Sequence, residues 1–289
     1  MKKTVVFGAG QMGTMAARLL GTDYDILCFA DNSPKKQGGT AAGLPVVSPE
    51  EAFAKAPDAV CIGVLDGERA AAMARQLRTL GFAGEAFSLG ALKSFDVRLG
   101  TMRLLAEQIN ALGTTGAAAE LGVFKGDFAA CISAAFPDRM IHLFDTFEGF
   151  TERDVAVEAA NGFSGAAAGD FSDTSEKAVR ARLPYPERAV FHKGWFPDTF
   201  SGCENEKFAF VSIDADLYAP TAAALPLFWD RMSCGGAIIV HDVNSTQFTG
   251  AGQAVSEFCC ARRIFPTPVC DLHGSVILRK PFSAHDASE

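Results

Sequence analysis

Two strand–glycine–helix openings, more than 100 residues apart, constrain this 289-residue chain more than any other feature. The first is TVVF (4–7), then GAGQMG (8–13) and the helix-like MAARLL. The second is AAEL (118–121), then GVFKG (122–126) and DFAACISAAF. A parallel α/β unit needs one such opening near its start, where a glycine turn passes the chain from a buried strand into a covering helix. Two openings predict an α/β chain of two tandem Rossmann-like domains.

In the first half, apolar periodicity predicts strands at 3–7, 25–30, 59–64 and 86–89, with helices near 11–21, 49–55 and 67–81. The turn residues of DNSPKKQGG (31–39) interrupt the pattern. The Gly-rich SLGALKS near 90–95 suggests the boundary, giving domains at 1–92 and 93–289. In the second half, strands are expected at 117–121, 140–145, 188–192, 208–213, 236–241 and 274–279. Helices should cover 96–113, 126–136, 174–182, 220–231 and 250–261. The segment 146–173 is Gly/Ala/Asp-rich and poorly periodic, which at that length suggests a lid or binding loop.

Composition removes several classes of function. With 48% hydrophobic and 21% charged residues the chain should bury an ordinary core. A net charge of −8 offers no electrostatic footprint for a nucleic-acid backbone. No apolar run reaches membrane-spanning length, and MKKTVVFGAG enters a strand directly, unlike a signal peptide. Eight scattered cysteines form no CxxC pair and suit reduced thiols in a cytoplasmic protein, with a homo-oligomer left open.

The chemistry gathers in VSIDADLY (211–218) and IIVHDVNS (238–245). Each is a β-branched apolar run that ends in acidic or imidazole groups, as expected of buried parallel strands. Polar groups at the carboxyl ends of neighbouring strands are where open α/β sheets bind ligands, so Asp214, Asp216, His241 and Asp242 read as one cluster. Glu120, Gly122 and Gly126 combine a strand-end carboxylate with a close-approach turn, and Asp145 ends the next strand where it can meet a ribose diol. The GxxxG spacing favours a cofactor without a pyrophosphate, and S-adenosylmethionine fits that description.

The run AELGVFKGDFA, then HLFDTFEGF (142–150), GDFSDTS (169–175), KGWFPDT (193–199), DADLY (214–218), GG (235–236) and HD (241–242) resembles the macrocin/mycinamicin-type sugar O-methyltransferases over roughly 115–280. The resemblance implies a seven-stranded class I methyltransferase sheet with a C-terminal antiparallel hairpin, S-adenosylmethionine as cofactor, and a small-molecule sugar or nucleotide-sugar acceptor. It places Glu120, Gly122 and Asp145 on the cofactor's tail and ribose, Phe147 and Glu148 beside the adenosyl group, and Ser172 and Asp173 near the adenine. Asp214 would hold a divalent cation, usually Mg2+, and Asp216 would be the general base on the acceptor hydroxyl. His241-Asp242 departs from the two acidic residues of the family pattern, since magnesium prefers oxygen ligands. Three roles stay open for His241: joining Asp214 and Asp242 around a softer ion such as Mn2+ or zinc, acting as a base without metal, or hydrogen-bonding a neighbouring strand end.

Elsewhere the readings are plainer. His142 and the aromatic pair Trp195 and Phe196 read as structural, His192 flanks the KGWFPDT turn, and His273 sits where it could line the acceptor end. In the first half Gly8, Gly10, Gly13 and Asp31 form a GxGxxG with a following acidic residue, the NAD-type pattern. The stretch also resembles small N-terminal domains of glycan enzymes that bind nucleotide-sugars. Two alternatives follow: an NAD-dependent oxidoreductase or epimerase, for which no tyrosine–lysine pair is visible, and a nucleotide-sensing scaffold with an inactive methyltransferase domain.

Overall fold

The computed structural model describes residues 1–20, 24–89, 96–272 and 274–282. It divides into two compact units, Met1–Asp96 and Val97–Glu289. The expected boundary at 92/93 and His273 lie outside the described residues. Among the described residues no helix is long and apolar enough to cross a membrane.

In the first unit, β1 (Lys2–Phe7), β2 (Tyr24–Ala30), β3 (Thr40–Ala41), β4 (Leu44–Val47), β5 (Ala59–Ile62) and β6 (Glu85–Ser88) form a sheet of order β3-β4-β2-β1-β5-β6. Every pairing but β3–β4 is parallel. Helices α1 (Gln11–Leu20), α2 (Pro49–Phe53) and α3 (Gly67–Thr79) accompany it. The short β3 and β4 fall in and just after what reads as a turn-rich interruption, because two- and four-residue strands carry too little periodicity to register. Ser48 starts α2 through a reciprocal capping box with Glu51, and Asp66 caps α3 by accepting the Arg69 N–H.

The second unit carries β7 (Ala117–Leu121), β8 (Ile141–Asp145), β9 (Ala189–Lys193), β10 (Phe208–Ile213), β11 (Met232–Val240), β12 (Thr267–Pro268) and β13 (Val276–Arg279). Their order is β12-β13-β11-β10-β7-β8-β9, with β13 antiparallel to both β11 and β12 and all other pairs parallel. The expected seven strands and antiparallel end are therefore present. The helices are α4 (Val97–Ala111), α5 (Asp127–Ala135), α6 (Glu152–Asn161), α7 (Glu176–Arg180), α8 (Tyr218–Trp229) and α9 (Thr249–Arg262). Phe144, Val211, Ile213 and Ile238 join Phe228 of α8 and Val255 of α9 in one apolar cluster; Leu143, Phe210 and Ile239 join Met102 and Ile109 of α4 and Ile132 of α5 in the other. Strand residues thus alternate between two helix-covered faces, which is why these strands are apolar throughout.

Helix α6 occupies the segment expected to be a loop. Its start is fixed by the Thr151 hydroxyl accepting the Asp154 N–H, and Gly162 ends it in the left-handed region at φ 66°. The inward side is polar: Asp154 and Glu158 are both buried. Glu158 accepts the Tyr218 N–H at 2.7 Å and the Ser164 hydroxyl at 2.7 Å. A helix that buries carboxylates shows no apolar stripe, so hydrophobic periodicity could not reveal it. The contact to Tyr218 also supplies the first turn of α8 with an acceptor that its own preceding residue, Leu217, lacks.

Candidate active site

Strand order in the second unit reverses between β7 and β10, and the turns after those two strands meet there. Gly122 makes the approach possible. A Cβ at this position would lie 1.9 Å from the Asp214 carbonyl oxygen, and φ is +83°. An open cleft of about 1080 Å3, solvent-facing space included, lies at this reversal point. Gly122, Asp145, Asp154, Asp214, Asp216, His241 and Asp242 supply its polar wall; Phe124, Phe150, Phe171, Trp195 and Phe196 are among its apolar residues. Ligands of open α/β sheets bind in this kind of crevice.

Asp145 holds the two loops that border the cleft. One carboxylate oxygen accepts the N–H groups of Val123 and Phe124 at 2.7 and 2.8 Å, and the other accepts the Phe147 N–H at 2.7 Å. Phe124 and Phe147 both have positive φ, so these loops are held in conformations that non-glycine residues seldom adopt. Phe171 packs edge-on against Phe124 and Phe150, with ring centroids 5.4 and 5.2 Å apart, giving an aromatic corner. Across the cleft the Trp195 indole N–H donates to both oxygens of Asp154 at 3.1 Å, and the Arg153 guanidinium sits 3.6 Å from the centre of its ring. Trp195 and Phe196, read from sequence as loop-packing residues, line the cleft, although Phe196 is also buried in the aromatic core.

The charged cluster is built around Asp214. One oxygen accepts from Arg98 at 2.8 Å and the other lies 3.0 Å from His241 Nδ1, which is also 2.8 Å from Asp242. Arg98 reaches from the first turn of α4, stacks over Phe128 at 4.0 Å and donates to the Ser212 hydroxyl at 3.1 Å. Burial alone would raise the Asp214 carboxyl, but the charges of Arg98 and His241 hold it far below the carboxylate range. Burial alone would lower His241; Asp214 first, then the bond to Asp242, lift it instead to about 10. The two carboxylates thus favour the charged form of His241. Asp216 moves the other way: burial, then Asp214 and Asp242, raise it well above the usual carboxylate value, and it hydrogen-bonds Asp242. Asp216 and Asp242 both sit in the left-handed region, at φ 58° and 55°, where strain is commonly stored at functional sites.

A magnesium-type ion seeks several oxygen ligands. Here the candidate set offers an imidazole and only two carboxylates, and a guanidinium already holds one oxygen of Asp214. These residues do not fit a hard divalent cation. The Arg98 guanidinium stands against Asp214 where such an ion would bring its charge.

The remaining expected residues are more dispersed. Glu120 is 1% exposed and is not among the cleft-lining residues; one of its oxygens has no protein partner, and burial pushes its carboxyl well above the ordinary value. Gly126 opens α5, with a Cβ there 2.7 Å from Val179. Phe147 is buried in the core beside the Asp145 loop. Glu148 and Asp173 are surface partners of Lys193 and Lys125, and Ser172 is an exposed turn residue. Sequence reading missed Arg98, Asp154 and Glu158: one arginine near a helix start and two acids in a stretch read as loop carry no spacing signal.

In the first unit, Asp31 repeats the arrangement of Asp145. It accepts the N–H groups of Ala9 and Ser33 at 2.8 and 2.9 Å and the Lys36 ammonium at 3.2 Å. Burial would raise this carboxyl, but those partners keep it below its ordinary value. Gly13 is needed for packing, since a Cβ would fall 1.9 Å from the Gly8 carbonyl oxygen. A Cβ at Gly10 would meet nothing within 4 Å.

Comparison with known proteins agrees with this geometry. A tetracenomycin-C rhamnosyl 4′-O-methyltransferase from Streptomyces olivaceus is 29% identical over 50% of this chain and 59% of its own length. Mycinamicin III 3″-O-methyltransferase from Micromonospora griseorubida is 28% identical over 50% of this chain and 62% of its own. The chain thus spans about 60% of the length of these curated relatives. A crystal structure of the calicheamicin methyltransferase CalS11 shares the fold, with a TM-score of 0.54 at 21% identity, covering 75% of this chain and 94% of the other. The model of the macrocin O-methyltransferase family matches residues 71–279, well over half of the sequence, and the chain belongs to that family.

Proposed function

We propose that this protein is an S-adenosylmethionine-dependent O-methyltransferase that acts on a sugar hydroxyl. The observation that carries the reading is the meeting, in one cleft, of the turn after β7 with the carboxylates that end β10 and β11. Asp145 and the aromatic corner of Phe124, Phe150 and Phe171 would hold the adenosyl part. Away from the cleft lining, Glu120 Oε2 and Arg98 Nε are buried polar atoms without protein partners. Their opposite polarity matches the ammonium and carboxylate of a methionine tail. When bound, S-adenosylmethionine supplies a methyl group made electrophilic by its sulfonium. Asp216 takes the proton from the acceptor hydroxyl, and its raised pKa makes it a stronger base once ionised. Arg98 and His241 fix Asp214, and that charge helps to raise Asp216. Trp195 offers a flat apolar face on which a sugar ring can lie, with Asp154 beside it for its hydroxyls. Relatives whose names place methylation on rhamnosyl and mycinamicin oxygens support a small sugar-bearing acceptor.

Because the carboxylate cluster does not fit a hard cation, turnover by chelator-treated protein should be the same within about twofold with or without added Mg2+. A Lewis-acid mechanism would instead lose several kcal/mol of transition-state stabilisation without its ion. Asp145→Ala should weaken S-adenosylhomocysteine binding by ~10–100-fold, the worth of a charged hydrogen-bond acceptor, as read by calorimetry. For the first unit the reading is a Rossmann-like domain whose turn at Gly10 is open to the phosphate of a nucleotide or nucleotide-sugar. Thermal shift across S-adenosylhomocysteine, NAD and UDP-sugars tests both halves: S-adenosylhomocysteine should raise the midpoint, and a response to NAD alone would overturn the methyltransferase reading.

A further inference from the structure

Away from the cleft wall, β8, β9 and the segment that follows β9 bring three potential metal ligands to one point. His142 Nδ1 and His192 Nε2 are 3.0 Å apart, and Cys203 Sγ lies 3.7 and 3.8 Å from them. His142 and Cys203 are buried and His192 is half-buried. A tetrahedral zinc with bonds of about 2.0–2.1 Å to nitrogen and about 2.3 Å to sulfur sets its ligand atoms about 3.3 Å (N···N) and 3.6 Å (N···S) apart. The three separations observed are each within about 0.3 Å of those edges.

We propose that His142, His192 and Cys203 bind one zinc ion, which ties the turn that follows β9 back to the sheet. That segment runs from Gly194 to Cys203 and contains Trp195 and Phe196, two residues of the cleft. His192 also stacks on the cleft residue Phe144, with centroids 4.2 Å apart. The ion closes a short loop and removes freedom from the segment that carries the aromatic face. Proton balance is simple. The thiol proton leaves to solvent as the zinc–sulfur bond forms, and the proton shared between the imidazoles moves to the outer nitrogen of the donor ring. Water would complete the tetrahedron as the fourth ligand. The ligands are soft and neutral apart from the thiolate, which selects zinc over magnesium.

Titrating chelator-treated, reduced full-length protein with Co2+ tests the site. One equivalent should bind with a thiolate-to-cobalt charge-transfer band and release of one proton, and zinc should displace it. Zinc should also raise the thermal midpoint. Cys203→Ser should abolish the band and weaken binding by about 100-fold or more, since even outer partners of a metal site cost 10–100-fold. His192→Gln, at the half-buried position, should do likewise if Cys203→Ser does not fold. Asp242→Asn should leave the band intact, which separates this site from the carboxylate cluster. A wild-type protein with no charge-transfer band, or a band that survives in Cys203→Ser, would overturn the proposal.

Discussion

Asp216→Asn is expected to lower kcat by ~10²–10⁴-fold while leaving the dissociation constant of S-adenosylhomocysteine unchanged. The side chains are nearly identical in volume, and an amide can still bond to Asp242, so the cleft keeps its shape. What disappears is the group that receives the hydroxyl proton. Its neighbours explain why Asp216 is chosen over the other acids of the cluster. Asp214 is neutralised by Arg98 and His241 and is held too acidic to take a proton at neutral pH. Asp216 lies against two further carboxyls in a buried setting and is the one whose carboxyl is raised. Single-turnover measurements of methyl transfer would separate the chemical step from release. Wild-type rates in the variant would remove Asp216 from the reaction.

Arg98→Met should cost about 3–5 kcal/mol of stability in urea unfolding, the usual penalty for stranding one member of a buried ion pair. The Arg98 side chain is 12% exposed and that of Asp214 is 23%, so solvent can replace little of the lost guanidinium. Glu120 adds to the effect, because Arg98 is the charge that offsets its burial. The loss should shrink when Asp214→Asn is combined with Arg98→Met, since the double variant has no stranded carboxylate at 214. A double-mutant cycle reads that coupling directly. A penalty for Arg98→Met below about 1 kcal/mol, typical of an exposed pair, would show that the network is solvated and does not shape the site.

Strand ends were the legible part of this sequence. DADLY and HD stand where apolar runs stop, and the structure brings Asp214, Asp216, His241 and Asp242 to one cleft. The seven-stranded sheet follows from the same runs, with the exception of two-residue β12, too short to show a period. The partners of those residues were not legible. Arg98 lies in sequence more than 100 residues from the carboxylate it binds, and only the packing of α4 against the sheet brings them together. Asp145 and Asp31 read as ribose acceptors, and in each case the carboxylate also accepts backbone N–H groups of the preceding glycine turn. Hydropathy cannot disclose such bonds, since the donors belong to the main chain. His142 likewise read as structural until the pairing of β8 with β9 set it beside His192.

A crystal structure with S-adenosylhomocysteine tests the central claim most directly. The account predicts the ligand in the cleft beside Gly122, its adenosyl group among Phe124, Phe150 and Phe171 and its sulfur facing Asp216. Density for the ligand at the Gly8–Gly13 turn instead, with the Gly122 cleft vacant, would contradict it.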